Sequence, residues 1–391
     1  MYKRELSKYL EGSLLTYSVL TLLGPRQSGK TTLVLNLFPD YDYRSLEDPD
    51  ERALAQDDPR GFLAGLGEKA ILDEFQRVPE LSSYIQGIVD KPENKRKFVL
   101  TGSNGLMLVD SITQSLAGRT ELFELLPLSY REIAQKEEEL EINELMVLGG
   151  FPRIRKDGLN PTKWLKNYFQ LYVEKDIRQI ANIKNLDLFE RFMRLAAGRA
   201  GQLINASSLA NEVGVTAPTI QHWISALRST YICFSLQPHH KNFNKRIVKS
   251  PKLYFHDTGL LCYLLGINDE KQLETHPLRG SIFENFIVSE IYKNKVNTAQ
   301  EVNLFYWRDQ KGHEIDIVED KSEFLYPVEV KRSQTFSPSF VKNLKYFNKL
   351  QVECQTSLSS IQGEVIYCGE KEHRFKDFEI LNWKTKLLAL N

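Results

Sequence analysis

The chain has 391 residues, too many for one ordinary core, and its 42% hydrophobic and 26% charged residues place it among soluble globular proteins and exclude a largely disordered one. Lys plus Arg and Asp plus Glu both number 51, so the formal charge is zero and only local patches can speak for or against nucleic acid. Four widely spaced cysteines, Cys233, Cys262, Cys354 and Cys368, form no CxxC pair or zinc spacing, and no apolar run reaches the roughly 18 residues that span a bilayer. The expectation is a cytoplasmic protein with reduced thiols and no membrane partner.

In chain order, the apolar stretch from Leu14 leads straight into a glycine-rich loop, which makes it a core strand rather than a signal peptide. Val19–Leu23 is a short apolar run, as expected of a strand covered on both faces. Gly24-Pro25-Arg26-Gln27-Ser28-Gly29-Lys30-Thr31 fits GxxxxGK[ST], and with Thr32 it opens a helix over Thr31–Phe38. The glycines let backbone N–H groups wrap around phosphates, and the helix adds its positive end. Lys30 reaches the β- and γ-phosphates and Thr31 coordinates Mg2+, so ATP with Mg2+ is the expected ligand.

Tyr41–Leu46, Ala70–Asp73, Lys97–Thr101 and Leu122–Leu126 are further strands. Their alternation with helices implies right-handed crossovers and a parallel sheet. Ile71-Leu72-Asp73-Glu74 ends in two carboxylates, Asp73 suited to Mg2+ and Glu74 to activating the attacking water. Ser103 or Asn104, at the carboxyl end of the next strand, is the candidate to orient that water.

From Leu128 to Gly198 the pattern turns helical, with a solvated acidic run at 137–144, a break at Gly149-Gly150-Phe151-Pro152 and a helix over Trp164–Ile180. Residues 208–224 have helix-turn-helix spacing, with Leu209, Ala210, Val215, Ile220 and Ile224 as core and Gly214 at the turn. The second helix offers Thr216, Thr219, Gln221 and His222 to DNA. Lys241, Lys245, Arg246, Lys249 and Lys252 follow within an acid-free stretch, a candidate phosphate-binding wing. A docking module for another protein would carry the same pattern.

After an amphipathic helix at Ile282–Lys293 come three strands, Val302–Arg308, His313–Val318 and Phe324–Lys331. Period-two alternation puts Glu314 with Asp316 on one strand face, and Glu329 with Lys331 on one face of the next. This resembles the PD-(D/E)xK nuclease motif, except that Ile315 rather than proline precedes Asp316. The resemblance implies Asp316, Glu329 and Glu284 as metal ligands and Lys331 as the residue that orients or deprotonates the water.

The series Gly-Pro-Arg-Gln-Ser-Gly-Lys-Thr, Ile-Leu-Asp-Glu, Leu-Thr-Gly-Ser, Leu116-Ala117-Gly118-Arg119, Gly149-Gly150-Phe151-Pro152 and 250–260 resembles a family of prokaryotic AAA+ ATPases. The resemblance implies an α/β multidomain protein. It would have an AAA+ core with a parallel sheet (residues 1–130), a helical lid (131–198), a winged helix (199–270) and an α/β restriction-endonuclease-like domain (271–391). It also makes Arg119 an arginine finger acting in trans within a homo-oligomer, with Arg178 of the lid a weaker contender. The function expected is Mg2+-dependent ATP hydrolysis coupled to DNA binding and DNA cleavage. The alternative is a nucleotide-gated regulatory protein whose winged helix and inactive nuclease-like domain bind a protein partner.

Overall fold

The computed structural model describes residues 2–103, 112, 114–173, 177–178, 183, 185–239, 250–354 and 362–390. Two sheets organise them. The first is five parallel strands in the order β2-β3-β4-β1-β5: β1 Val19–Leu23, β2 Asp42–Ser45, β3 Lys69–Asp73, β4 Lys97–Gly102 and β5 Thr120–Glu124. All five residues of β1 are buried because both faces are covered. Its alternate side chains serve two cores: Leu20 and Leu22 meet Leu10, Leu14, Leu33 and Val34, while Val19 and Leu23 meet Phe62, Leu81 and Ile85. The order places the carboxyl ends of β1, β3 and β4 side by side, where open parallel sheets bind ligands.

The second sheet runs β12-β13-β11-β10-β9-β8-β6-β7. Its strands are β6 Cys233–Pro238, β7 Lys252–Phe255, β8 Leu304–Arg308, β9 Glu314–Asp320, β10 Leu325–Lys331, β11 Gly363–Tyr367, β12 His373–Phe375 and β13 Phe378–Asn382. β6 pairs antiparallel with β7 and parallel with β8, so these two strands, which fall within the expected winged helix of residues 199–270, are joined to the C-terminal sheet. The helix-turn-helix precedes it: helices Ala206–Val213 and Ala217–Ser229 are capped by Asn205 and Thr216, and Gly214 takes the left-handed turn at φ 89°.

The expected boundaries at 198 and 270 do not divide the cores. One hydrophobic cluster contains Phe151, Phe192, Trp223, Tyr254, Leu260, Phe286 and Trp383. The far face of the second sheet has its own core around Trp307, Leu344 and Phe347. The helix expected over Trp164–Ile180 is α-helical at Pro161–Tyr168 and widens to a π-helical turn over Phe169–Val173.

A tight junction ties Gly149 and Gly150 to the 250–260 loop. Gly150 N–H donates to Asp257 Oδ2 at 2.7 Å and Leu260 N–H to Oδ1 at 2.8 Å. Gly149 sits at φ 67°, and a Cβ there would lie 2.5 Å from Asp257 Oδ1. This clamp sets the start of helix Pro152–Asp157 against the carboxyl edge of the first sheet.

Candidate functional site

A cavity of 610 Å³ opens at that edge, lined by Arg26–Leu33 of the glycine loop, Asp73, Glu74 and Glu47, and by Tyr2, Arg4, Pro152, Arg153 and Lys156. Gly24 (φ 148°) and Gly29 (φ 96°) adopt backbone that a side chain would strain, and a Cβ on Gly24 would lie 2.2 Å from Leu125 O. Gln27, at φ 64°, is a non-glycine residue held in the left-handed region. Helix Lys30–Leu37 starts at Gly29, so its N–H groups and dipole face the loop. Lys30 Nζ donates to Gly24 O and Pro25 O, both at 2.9 Å, and Thr32 is exposed.

Asp73 is 5% exposed and fully engaged by neutral donors. Its Oδ2 accepts from Thr31 Oγ1 at 2.8 Å and Tyr43 OH at 2.9 Å; Oδ1 accepts from the Glu74 N–H at 3.1 Å and from Thr101. Burial and the Asp73 charge hold the Tyr43 hydroxyl well above its ordinary pKa, so it stays a donor. A hydroxyl beside a carboxylate is a hard oxygen pair that fits Mg2+, and the loop's N–H groups and Lys30 fit phosphate.

Glu74 stands next, at φ 55°, ψ 42°. Gln76 Nε2 donates to Glu74 Oε2 at 2.5 Å and to Ser103 Oγ at 3.1 Å; Ser103 Oγ itself lies 3.3 Å from Glu74 Oε2. Of the two candidates at the end of β4, Ser103 is therefore beside Glu74, while Asn104 lies outside the described residues. Sequence reasoning missed Gln76, although it stands only two residues beyond Glu74. It also missed Arg4, whose guanidinium donates to Ser28 O at 2.9 Å and Leu126 O at 2.6 Å and pairs with Glu132 at 3.0 Å. Nothing local in the sequence ties Arg4 to a loop more than 20 residues on.

Arg119 lies at the other end of the sheet, where its carbonyl accepts from the Val19 N–H at the start of β1. It makes a bidentate pair with Asp90, at 2.5 and 2.8 Å, and cannot reach its own nucleotide cavity. Arg178 is exposed and does not line the cavity.

The second sheet gathers a different cluster. Asp316 on β9 accepts from the Val330 N–H at 2.8 Å, and Lys331 on β10 lies 3.4 Å from Asp316 Oδ2 and bonds Glu329 Oε2. From helix Arg279–Asn297, Glu284 accepts from Tyr254 OH at 2.7 Å. Lys252, 2% exposed, pairs with Glu314 at 2.5 Å and Glu284 at 3.2 Å and lies 4.0 Å from Asp316. Burial and Asp316 push Glu329 well up. Burial works against ionisation of Asp316, yet Lys331 and Lys252 hold it below the usual carboxylate value.

One sequence expectation needs correction here. Lys252 is no surface phosphate contact, because β7 turns it inward onto the carboxylates. Glu284, Asp316 and Glu329 do meet in space: the side chains of Asp316 and Glu329 are hydrogen-bond partners, and Lys252 stands between Glu284 and Asp316. Among the described residues no three His, Cys, Asp or Glu side chains are arranged to hold a metal ion. Neither Arg332, paired with Glu274, nor Lys293, paired with Glu290, serves the cluster. On the helix-turn-helix, Thr216, Gln221 and His222 are exposed and Thr219 is half-buried; Lys241, Lys245, Arg246 and Lys249 lie outside the described residues. No helix among the described residues is long and apolar enough to cross a membrane.

An AAA domain model matches residues 16–134, and two domains of unknown function, DUF8612 and DUF4143, match 139–271 and 279–385. Uncharacterized proteins of Mycobacterium tuberculosis and Mycobacterium bovis are each 31% identical over 378 residues, covering 95% of this chain and 81% of theirs. One from Methanocaldococcus jannaschii is 23% identical, covering 97% and 90%. Among solved structures, a Walker-type ATPase of Pyrococcus abyssi is 16% identical and covers 68% of this chain and 96% of its own, with a TM-score of 0.46. The Thermotoga maritima RuvB Holliday junction branch migration motor is 19% identical, covers 59% and 87%, and has a TM-score of 0.30.

Proposed function

We propose that this chain, which belongs to the family of the uncharacterized mycobacterial proteins and carries an AAA domain, is a Mg2+-dependent ATPase. One observation carries the reading: Thr31, Asp73 and Glu74 share one cavity with the glycine loop. The loop N–H groups and Lys30 bind the phosphates, and Thr31 and Asp73 would hold Mg2+, which when bound offsets phosphate charge. Glu74 takes a proton from the attacking water, with Ser103 and Gln76 fixing its carboxylate. Arg153 and Lys156, exposed on the helix that starts at the Gly150–Asp257 clamp, add positive charge at the cavity mouth. Phosphate release by the full chain, with Lys30→Ala and Glu74→Gln beside it, tests this. Turnover by Lys30→Ala equal to the parent would end it.

Arg119 fits a role in trans, within a homo-oligomer, where it would exchange Asp90 for a neighbour's phosphates. Mixing Arg119→Ala with Lys30→Ala subunits should then restore turnover that neither has alone.

The output we favour is DNA, through the exposed Thr216, Gln221 and His222 and the basic stretch 241–249. Binding should weaken with salt, and each phosphate contact removed should lower the log–log slope by roughly one. DNA cleavage is not part of this reading, given the lysines among Glu284, Asp316 and Glu329. That same observation favours the second reading, a nucleotide-gated regulatory protein whose C-terminal domain binds a protein partner. Salt-independent or absent DNA binding would select it.

A further inference from the structure

The cluster on the second sheet has four carboxylates, Glu284, Glu314, Asp316 and Glu329, drawn from one helix and two strands. Lys331 is taken by Asp316 and Glu329, which leaves Glu284 to Lys252 and Glu314 to Lys252 and Arg308. We infer that Lys252 is the permanent cation of this cluster, standing where a divalent ion would sit, so that the cluster takes no metal and does no phosphodiester chemistry.

The geometry argues this from both sides. A Mg2+ or Mn2+ ion needs several oxygens turned to one point at roughly 2.0–2.6 Å. Here Lys252 Nζ lies between Glu284, Glu314 and Asp316, at 3.2, 2.5 and 4.0 Å, so their oxygens point at an ammonium. Glu284 gives one oxygen to both Lys252 and Tyr254, two residues apart on the same face of β7, and a metal would have to displace them. Lys252 is held at its backbone and packed at its ammonium. Its backbone pairs with Leu236 on one side and bridges Leu203 on the other, and its ammonium stands 5.7 Å above the Tyr306 ring. A buried ammonium removed from its carboxylates would be left unpaired, which the fold resists strongly.

The inference does not rest on the ATPase reading, and its test excludes the nucleotide site. Mn2+ alone, with no nucleotide, is titrated into the full chain carrying Thr31→Ala and Asp73→Asn, and free Mn2+ is read by electron paramagnetic resonance. Binding should be the same with and without Asp316→Asn or Glu284→Gln, since any Mn2+ held then lies outside the cluster. Lys252→Met should gain a site at least about tenfold tighter, because Glu284, Glu314 and Asp316 would then face a neutral side chain where the ammonium stood, and adding Asp316→Asn should abolish it. Mn2+ bound by the parent and released by Asp316→Asn would overturn the inference. So would a folded Lys252→Met that gains nothing. Should Lys252→Met fail to fold, the parent against Asp316→Asn still decides.

Discussion

Two of the buried carboxylate sites are satisfied in opposite ways. Asp73 is satisfied by hydroxyls and a backbone N–H, from Thr31, Tyr43, Thr101 and Glu74, and it faces an open cavity. Neutral donors leave its charge in place, ready for a cation. Asp316 and its neighbours are set among cations, Lys252, Lys331 and Arg308, which offset their charge. The lysine of the nucleotide site donates to carbonyls, Gly24 O and Pro25 O. A site built to bind ions keeps its charges apart; one built as a scaffold pairs them.

The largest effect expected is on turnover. Glu74→Gln should keep nucleotide affinity and lower the ATPase rate by roughly 10²–10⁴, the usual worth of a positioned general base. Lys30→Ala should lose nucleotide binding as well. Rates from a phosphate-release assay and affinities from titration of a fluorescent nucleotide separate the two. A Glu74→Gln rate within a fewfold of the parent would place the water's activation elsewhere and break the comparison on its functional side.

Next comes stability, where the two sites should differ in the other direction. Lys252→Met strips the ammonium from buried carboxylates and should cost about 3–5 kcal/mol in urea unfolding without metal. Asp73→Asn removes a charge that no ammonium needs, and should cost nearer the ~1–3 kcal/mol of disturbed buried hydrogen bonds. Equal losses would mean that the second cluster is no more of a scaffold than the first.

How much of this was legible in the sequence follows from how local each feature is. The glycine loop, Asp73 with Glu74, and the alternation that pairs Asp316 with Glu314 and Glu329 with Lys331 are short-range patterns, and these residues do converge. Gly214 stands at the turn between the two helices for the same reason. Lys252 was misread because its sequence neighbours, Lys245, Arg246 and Lys249, are basic, and a basic run reads as surface. Its partners are set by β7 joining, through β6, a sheet whose later strands begin only at Leu304. Arg4 and Tyr43 escaped for the same cause: each is placed by a contact across the fold, and neither carries a local signature. The domain boundaries at 198 and 270 followed changes in pattern, but the cores join across them through side chains such as Trp223 and Phe286.

The smallest effect tests the pairing rule on a buried base that has no counter-charge. His256 packs between Phe234 and Tyr292, and its Nδ1 has no hydrogen-bond partner among the described residues. Burial, with Lys293 adding repulsion, pushes its pKa down to about 3. The folded imidazole is therefore neutral at pH 5, whereas the unfolded chain takes up a proton below its ordinary pKa near 6.5. Stability from this group is fully present above that value. It falls as the pH drops toward the folded pKa, by at most about 1.4 kcal/mol per pH unit. Other groups contribute in both directions. Glu329 and Glu284, raised by burial, favour the folded state as the pH falls, whereas Asp316, held down by Lys331 and Lys252, does the reverse. The parent's pH profile alone cannot isolate His256, but the difference from His256→Phe can, since phenylalanine keeps the ring packing and carries no proton. Urea unfolding of both proteins at pH 7, 6 and 5 should show the parent losing stability relative to His256→Phe, by about 2 kcal/mol in all. A constant difference across that range would mean that His256 finds a proton-accepting partner in the folded chain and is charged there like the lysines of the second cluster.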